Sequence, residues 1–414
     1  TVFATMSPRS LHRSSVTFRV VLTIGTTLLA GCAEPTNGAP AKQLQVSSRN
    51  SAEVPSTNGT ASVEWNKTAR MLVASHNTNS PLASRVYALV SVAQLNAATD
   101  AGRRVRDTLH PSTRGAVVGA SWAVLRSLYA DAASTALVDA QLRNDEMEGA
   151  PSEGGSDFAA GETIGRTAAQ SVLARAATDG TSAANCPATP PGPGSAGFWF
   201  DDAVPPNPQP LLPCFGNVRP WLFADVTRFR SDPPPPFNSP AFRAALAEVR
   251  QISDTRTAAQ LAIVDKWLDG NNTPMPPGRW NTIGAELIQR NGLDERRAAR
   301  TFALLNMAMM DTHIACWDRK YTYWRLRPWQ ADSLITTPRG RPHHPANPSG
   351  HACAGGAGSA VLGGLFPADK SALMAQGDEE AFTTVLSGVH YRYDVVTGLR
   401  IGRAIGALAL ARND

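Results

Sequence analysis

Three short segments near the C-terminus hold side chains that could do chemistry together. They are Lys320-Tyr-Thr-Tyr-Trp-Arg-Leu-Arg327-Pro328, Asn347-Pro348-Ser349-Gly350-His351 and Gly388-Val-His390-Tyr-Arg-Tyr-Asp394. Between them they supply two cations, a Ser-Gly turn, two histidines and a carboxylate. Five of the eight histidines lie between His313 and His390, so the titratable nitrogen is concentrated in this stretch. Cationic donor forks, a point charge and exposed backbone amides are the groups that grip a tetrahedral oxyanion.

Each segment has a physical logic. Lys320 and Arg327 are seven apart, which on a helix near 310–327 would put both on one face, with Pro328 ending that helix. Such a pair alone reads equally well as a solvated charged face. Pro348 stops any preceding helix and an alanine-rich stretch follows, so Ser349 and the Gly350 amide would sit at a helix N-terminus, where backbone donors and the dipole hold anions. His351 then stands close enough to move a proton. On a helix, the four-residue spacing of His390 and Asp394 lets the carboxylate fix the imidazole tautomer, leaving the far nitrogen as a nucleophile or metal ligand.

In this order and at these spacings the segments resemble the type 2 phosphatidic acid phosphatase/vanadium haloperoxidase superfamily. The resemblance extends upstream through the Ser84-Arg-Val-Tyr-Ala-Leu-Val and Leu304-Leu-Asn-Met-Ala-Met-Met-Asp311 stretches. It implies an all-α helical bundle, built in one piece or as two bundle halves. It also implies that Lys320, Arg327, Ser349 and Gly350 hold the oxygens of a vanadate cofactor, with His390 as the metal ligand oriented by Asp394. His351 would be the acid/base toward hydrogen peroxide, and a halide would be the second substrate.

Trp317 and the run Pro342-His-His-Pro-Ala-Asn-Pro-Ser resemble the haloperoxidase branch, which puts His344 where a halide-site residue occurs. Two alternatives stand beside this reading. One is an acid phosphatase that cleaves phosphoesters through a phosphohistidine at His390; the other is a non-catalytic anion-binding relative. One departure from the family is clear: its third arginine, six residues before His390, falls on Thr384, and the preceding serine on Thr383. Arg325, Arg339 and Arg341 are the arginines that could replace it.

The elements that must position these groups read as helices. Apolar residues recur at three- and four-residue spacing from Pro81, and again near 118–144, 160–178, 239–269, 295–326, 350–364 and 393–411. Alanine is frequent in all of them. Residues 185–238 interrupt the pattern with Pro190-Pro191-Gly192-Pro193-Gly194 and four prolines at 233–236. Trp199, Phe200, Phe215, Trp221 and Phe223 in that stretch predict a packed loop over a free linker.

The N-terminus reads as an export signal. Arg9, Arg13 and Arg19 precede a short apolar run ending in Leu29-Ala30-Gly31-Cys32, which resembles a bacterial lipoprotein cleavage box. Residues 1–32 would then be a signal peptide, 33–60 a flexible tether and 61–414 the helical domain, with its active-site segments in 313–394. The expected location is the bacterial cell envelope, attached to membrane only through lipidated Cys32. Removing three arginines takes Lys+Arg from 39 to 36 against 34 acids, about +2. A balance that small, with no long basic run, gives no case for a nucleic-acid partner. Cys186, Cys214, Cys316 and Cys353 remain and allow three disulfide connectivities. One of these closes the Pro-rich loop with Cys186–Cys214 and ties two site segments with Cys316–Cys353; free thiols are the alternative.

Overall fold

The computed structural model describes residues 59–103, 110–188, 196–207, 209–230 and 232–412. The expected signal peptide (1–32) with Cys32, and nearly all of the expected tether (33–60), lie outside the described residues. The described helices are α1 (Ala61–Ser75), α2 (Ser80–Arg103), α3 (Thr113–Leu128), α4 (Ala132–Glu153), α5 (Gly155–Ala177), α6 (Pro240–Thr255), α7 (Ala258–Lys266), α8 (Met275–Arg290), α9 (Glu295–Tyr323), α10 (Pro328–Ala331), α11 (Gly350–Leu365), α12 (Lys370–Leu386) and α13 (Arg392–Leu410). No strand occurs among the described residues; Phe198 and Arg325 form one isolated bridge. None of the described helices is long and apolar enough to cross a membrane.

Caps explain where the helices break. The expected 118–144 helix is two, because Asp131 accepts a hydrogen bond from Ser134 N at 3.0 Å and starts α4. The expected 239–269 helix is also two. Thr257 and Gln260 form a capping box that opens α7. α1, α8 and α12 lie outside the stretches whose spacing predicted helices.

α9 is the axis of the bundle. From Ala298 to Lys320 it is buried on nearly every side, including Asp311, His313, Arg319 and Lys320, as expected of a helix wrapped by others. α2, α8, α11 and α13 pack on it. α11 and α13 approach closely because glycines line their seam; a Cβ on Gly402 would lie 2.3 Å from the Cys353 carbonyl oxygen. That seam sets the start of α13 beside the start of α11. Disulfides join Cys186 to Cys214 and Cys316 to Cys353, the second tying α9 to α11.

The Pro-rich stretch is a packed loop. Trp199 and Phe215 are fully buried, and Trp221 and Phe223 pack against the core, while Phe200 stays exposed. Asp311 anchors it to α9 by accepting from Trp221 N and Leu222 N at 2.9 and 2.7 Å. Burial pushes the Asp311 carboxyl up to about 7 against those hydrogen bonds.

Candidate active site

The three segments converge at the end of the bundle where α9 stops and α11 and α13 begin. Lys320 lies in the last turn of α9. The helix does not continue to Pro328 as its spacing suggested: it ends at Tyr323, and Trp324 takes a left-handed conformation at φ 47°. Arg325 then bridges to Phe198, and Arg327, preceding a proline, is extended at φ −82°, ψ 159°. Lys320 and Arg327 therefore meet through a turn and not along a helix face. Similarly His390 stands two residues before α13, with Asp394 in its first turn, so their contact does not run along a helix.

His390 is buried at 3 % exposure, and its Nδ1 lies 3.1 Å from Asp394 Oδ2. Its Nε2 lies 2.9 Å from Arg327 Nη1. A guanidinium can only donate, so Nε2 carries the lone pair and Nδ1 the proton. Burial, reinforced by Arg327 and Lys320, holds the imidazole pKa well below its ordinary value, so the ring is neutral.

Asp394 also accepts from Tyr391 N at 3.1 Å and Asn347 Nδ2 at 2.8 Å. Asn347 in turn accepts from Arg319 Nε at 2.8 Å. Burial raises the Asp394 carboxyl to about 6 against these donors and the two cations. Asn347 and Arg319 form a support that motif reading did not single out, although Asn347 stands inside the quoted Asn-Pro-Ser-Gly-His segment.

Lys320 is fully buried and donates to the carbonyls of Pro345 and Ala346, both at 2.9 Å, and of Pro348. Desolvation lowers its pKa well below the usual amine value, with Arg327 adding to the effect. Arg327 donates to the carbonyls of Val389 at 2.8 Å and His344 at 2.9 Å, and Nη2 lies 3.0 Å from His344 Nδ1. These two cations therefore also fasten the loop that carries Ser349.

Ser349 is the N-cap of α11, accepting from Ala352 N at 3.3 Å. Its hydroxyl lies 3.2 Å from Thr384 Oγ1. Thr384 spends its own proton on the Ala381 carbonyl at 2.8 Å, so Ser349 donates to Thr384. His351 Nε2 is 3.3 Å from the Leu268 carbonyl, which makes Nε2 the donor and Nδ1 the lone pair. Burial lowers the His351 pKa, with Asp269 opposing it.

A cavity of about 580 Å³ opens in front of these residues. Gly350, His351, His390, Thr384 and His344 are on its wall; Lys320, Arg327 and Ser349 sit immediately behind it. Of the arginines that could replace the family's third, Arg339 and Arg341 line the cavity, paired with Asp265 and Asp202. Arg325 donates to the Pro234 carbonyl at 3.2 Å and does not line it. His313, given no role by the motif, bonds Met309 O and Ser80 Oγ at 2.8 and 2.9 Å as a buried structural histidine.

Among the described residues no three His, Cys, Asp or Glu side chains converge as a cation site. Two buried cations, a helix N-terminus, hydroxyls and one unprotonated imidazole nitrogen instead fit an oxyanion such as vanadate or phosphate.

Residues 300–413 match the family model of the PAP2 superfamily, so this part of the chain carries a PAP2 superfamily domain. Its all-α fold is that of a bacterial vanadium-dependent iodoperoxidase, at TM-score 0.74 and 18 % identity, covering 87 % of this chain and 98 % of that one. The apo and holo forms of a bacterial vanadium-dependent chloroperoxidase align at TM-scores 0.63 and 0.61 and 16 % identity, over 81 % of this chain and 93 % and 92 % of theirs. No curated protein matches the chain.

Proposed function

We propose that this protein is a vanadium-dependent haloperoxidase-like enzyme that oxidises a halide with hydrogen peroxide. The observation that carries the reading is the neutral His390, with Nε2 unprotonated, Nδ1 tied to Asp394, and two buried cations behind it. Bound vanadate supplies the Lewis acidity that polarises peroxide. His390 would hold the vanadium through Nε2, and Arg327, now 2.9 Å from that nitrogen, would serve a cofactor oxygen. Lys320 adds positive potential and fastens the 345–348 loop, while Ser349 and the Gly350 amide serve the remaining oxygens. Asp394 holds the His390 tautomer. His351, on the cavity wall with an unprotonated Nδ1, would act as acid and base toward hydrogen peroxide.

The competing phosphatase reading uses the same residues, with His390 attacking phosphorus and His351 protonating the leaving alcohol. Trp317 and His344, rings 5.2 Å apart, favour the haloperoxidase reading, because both stand beside the cations where a halide would be polarised. The N-terminal sequence supports an exported protein held at the cell envelope by a lipid on Cys32. The test is a paired assay of one preparation. Vanadate-dependent oxidation of bromide or iodide by peroxide supports this reading, and phosphomonoester hydrolysis that vanadate inhibits replaces it with the phosphatase.

A further inference from the structure

The cavity in front of His390 is far larger than the proposed small reactants need. A halide or peroxide takes up about the room of a water molecule, roughly 30 Å³, whereas this cavity is about 580 Å³, a size suited to a drug-sized organic ligand. Its wall is graded. Trp267, Met275 and Trp317 are lining residues buried to 7 % exposure or less, in the same wall as His390. The exposed lining residues, Leu268, Asn271, Arg339, Gly340 and Arg341, mark the mouth.

The two mouth arginines differ. Arg339 is clasped by Asp265 through both Nε and Nη2. Arg341 gives a single Nη1 bond to Asp202 at 3.2 Å, and the same carboxylate oxygen takes the shorter bond from Trp329 Nε1 at 2.7 Å. With its side chain 51 % exposed, Arg341 is the cation placed to receive an anionic ligand.

We propose that this cavity binds an electron-rich aromatic carboxylate, with its ring against the apolar interior and its carboxylate on Arg341, and that the oxidised halogen is delivered to it there. Resting on the haloperoxidase reading, the step balances as follows. Halide loses two electrons to peroxide and, with one proton, gives hypohalous acid and water. The acid's halogen then forms a bond to ring carbon, the C–H bond breaks, and its proton leaves with the hydroxide as a second water.

Isothermal titration of the vanadate-free protein with indole-3-acetate, and separately with neutral indole-3-acetamide, tests the assignment. Indole-3-acetate should bind roughly two- to fivefold more tightly than the amide, as expected for one partly exposed ion pair. Arg341→Ala should erase that preference, and Arg341→Lys should restore part of it. No binding of either ligand, or equal binding of both, overturns the proposal. Vanadate-dependent bromination of a bulky sulfonated dye, run beside it, separates the two readings. Dye bromination without indole-3-acetate binding sinks the cavity assignment alone. Binding without halide oxidation overturns the halogen-delivery step together with the haloperoxidase reading.

Discussion

Thr384→Arg supplies the third arginine of the superfamily pattern that this sequence resembles, and its effect can be sized. Thr384 is buried at 3 % exposure, lines the cavity, and faces Ser349 Oγ at 3.2 Å. A longer side chain therefore has the cavity to extend into and a bound oxyanion within reach of the same wall. One charge-assisted hydrogen bond contributes about 1.5–3 kcal/mol, which corresponds to roughly ten- to a hundredfold tighter vanadate binding. The variant loses the Thr384 contacts to Ser349 and Ala381 and places a third cation near Arg327 and His390. Its vanadate-free melting temperature should accordingly fall, and vanadate should recover it. Calorimetric titration with vanadate and thermal melts with and without the anion measure both effects. A folded variant whose vanadate affinity is unchanged or weaker would refute the placement of the oxyanion beside Thr384.

Three further outcomes follow from the same contacts. His390→Ala should abolish vanadate binding and turnover, whereas His351→Ala should keep binding and lose most turnover; equal loss of binding in both contradicts the assigned roles. Burial lowers His313 to about 4, so below its unfolded value near 6.5 the unfolded chain takes up a proton that the folded chain refuses. Its contribution to stability is intact above about 6.5 and declines as pH falls toward 4, by at most about 3 kcal/mol. Asp311, raised to about 7, has the opposite slope, so the measurement is a difference: His313→Gln should gain on the wild type in melting temperature as pH falls, and a pH-independent gap rules this out. Replacing Cys316 and Cys353 together by alanine opens a 37-residue separation between α9 and α11. The loss should be roughly 3–4 kcal/mol in denaturant midpoint-derived stability, and a loss well under 1 kcal/mol would show that packing alone holds the two helices.

Much of the fold and site was legible in the residues. Long periodic stretches such as 295–326 and 350–364 are helices because one or more apolar faces repeat at helical spacing. The cap at Ser349 followed from Pro348 before it and the alanine-rich run after it. Less legible was where helices stop. Trp324 ends α9 in a left-handed conformation, a backbone choice that few bulky residues make and that no local pattern announces. Lys320 and Arg327 reached the same site by a route the spacing misjudged. Asn347 and Arg319 behind Asp394 were hidden for another reason: a polar relay between segments is set by tertiary packing, as at the Gly402 seam, and carries no sequence period. The cavity and its mouth arginines likewise arise from the loop around 339–344 meeting the α7–α8 connection, which only the assembled bundle brings together.

In the proposed function a His390-centred oxyanion site turns peroxide on halide. Purified protein lacking the first 32 residues, freed of bound anions and then titrated with vanadate while iodide oxidation by peroxide is followed, tests it most directly. Oxidation that rises with vanadate to saturation, and is absent in His390→Ala, is the predicted result. Iodide oxidation indifferent to vanadate, or none at all in a folded protein that hydrolyses phosphomonoesters until vanadate stops it, would contradict the account.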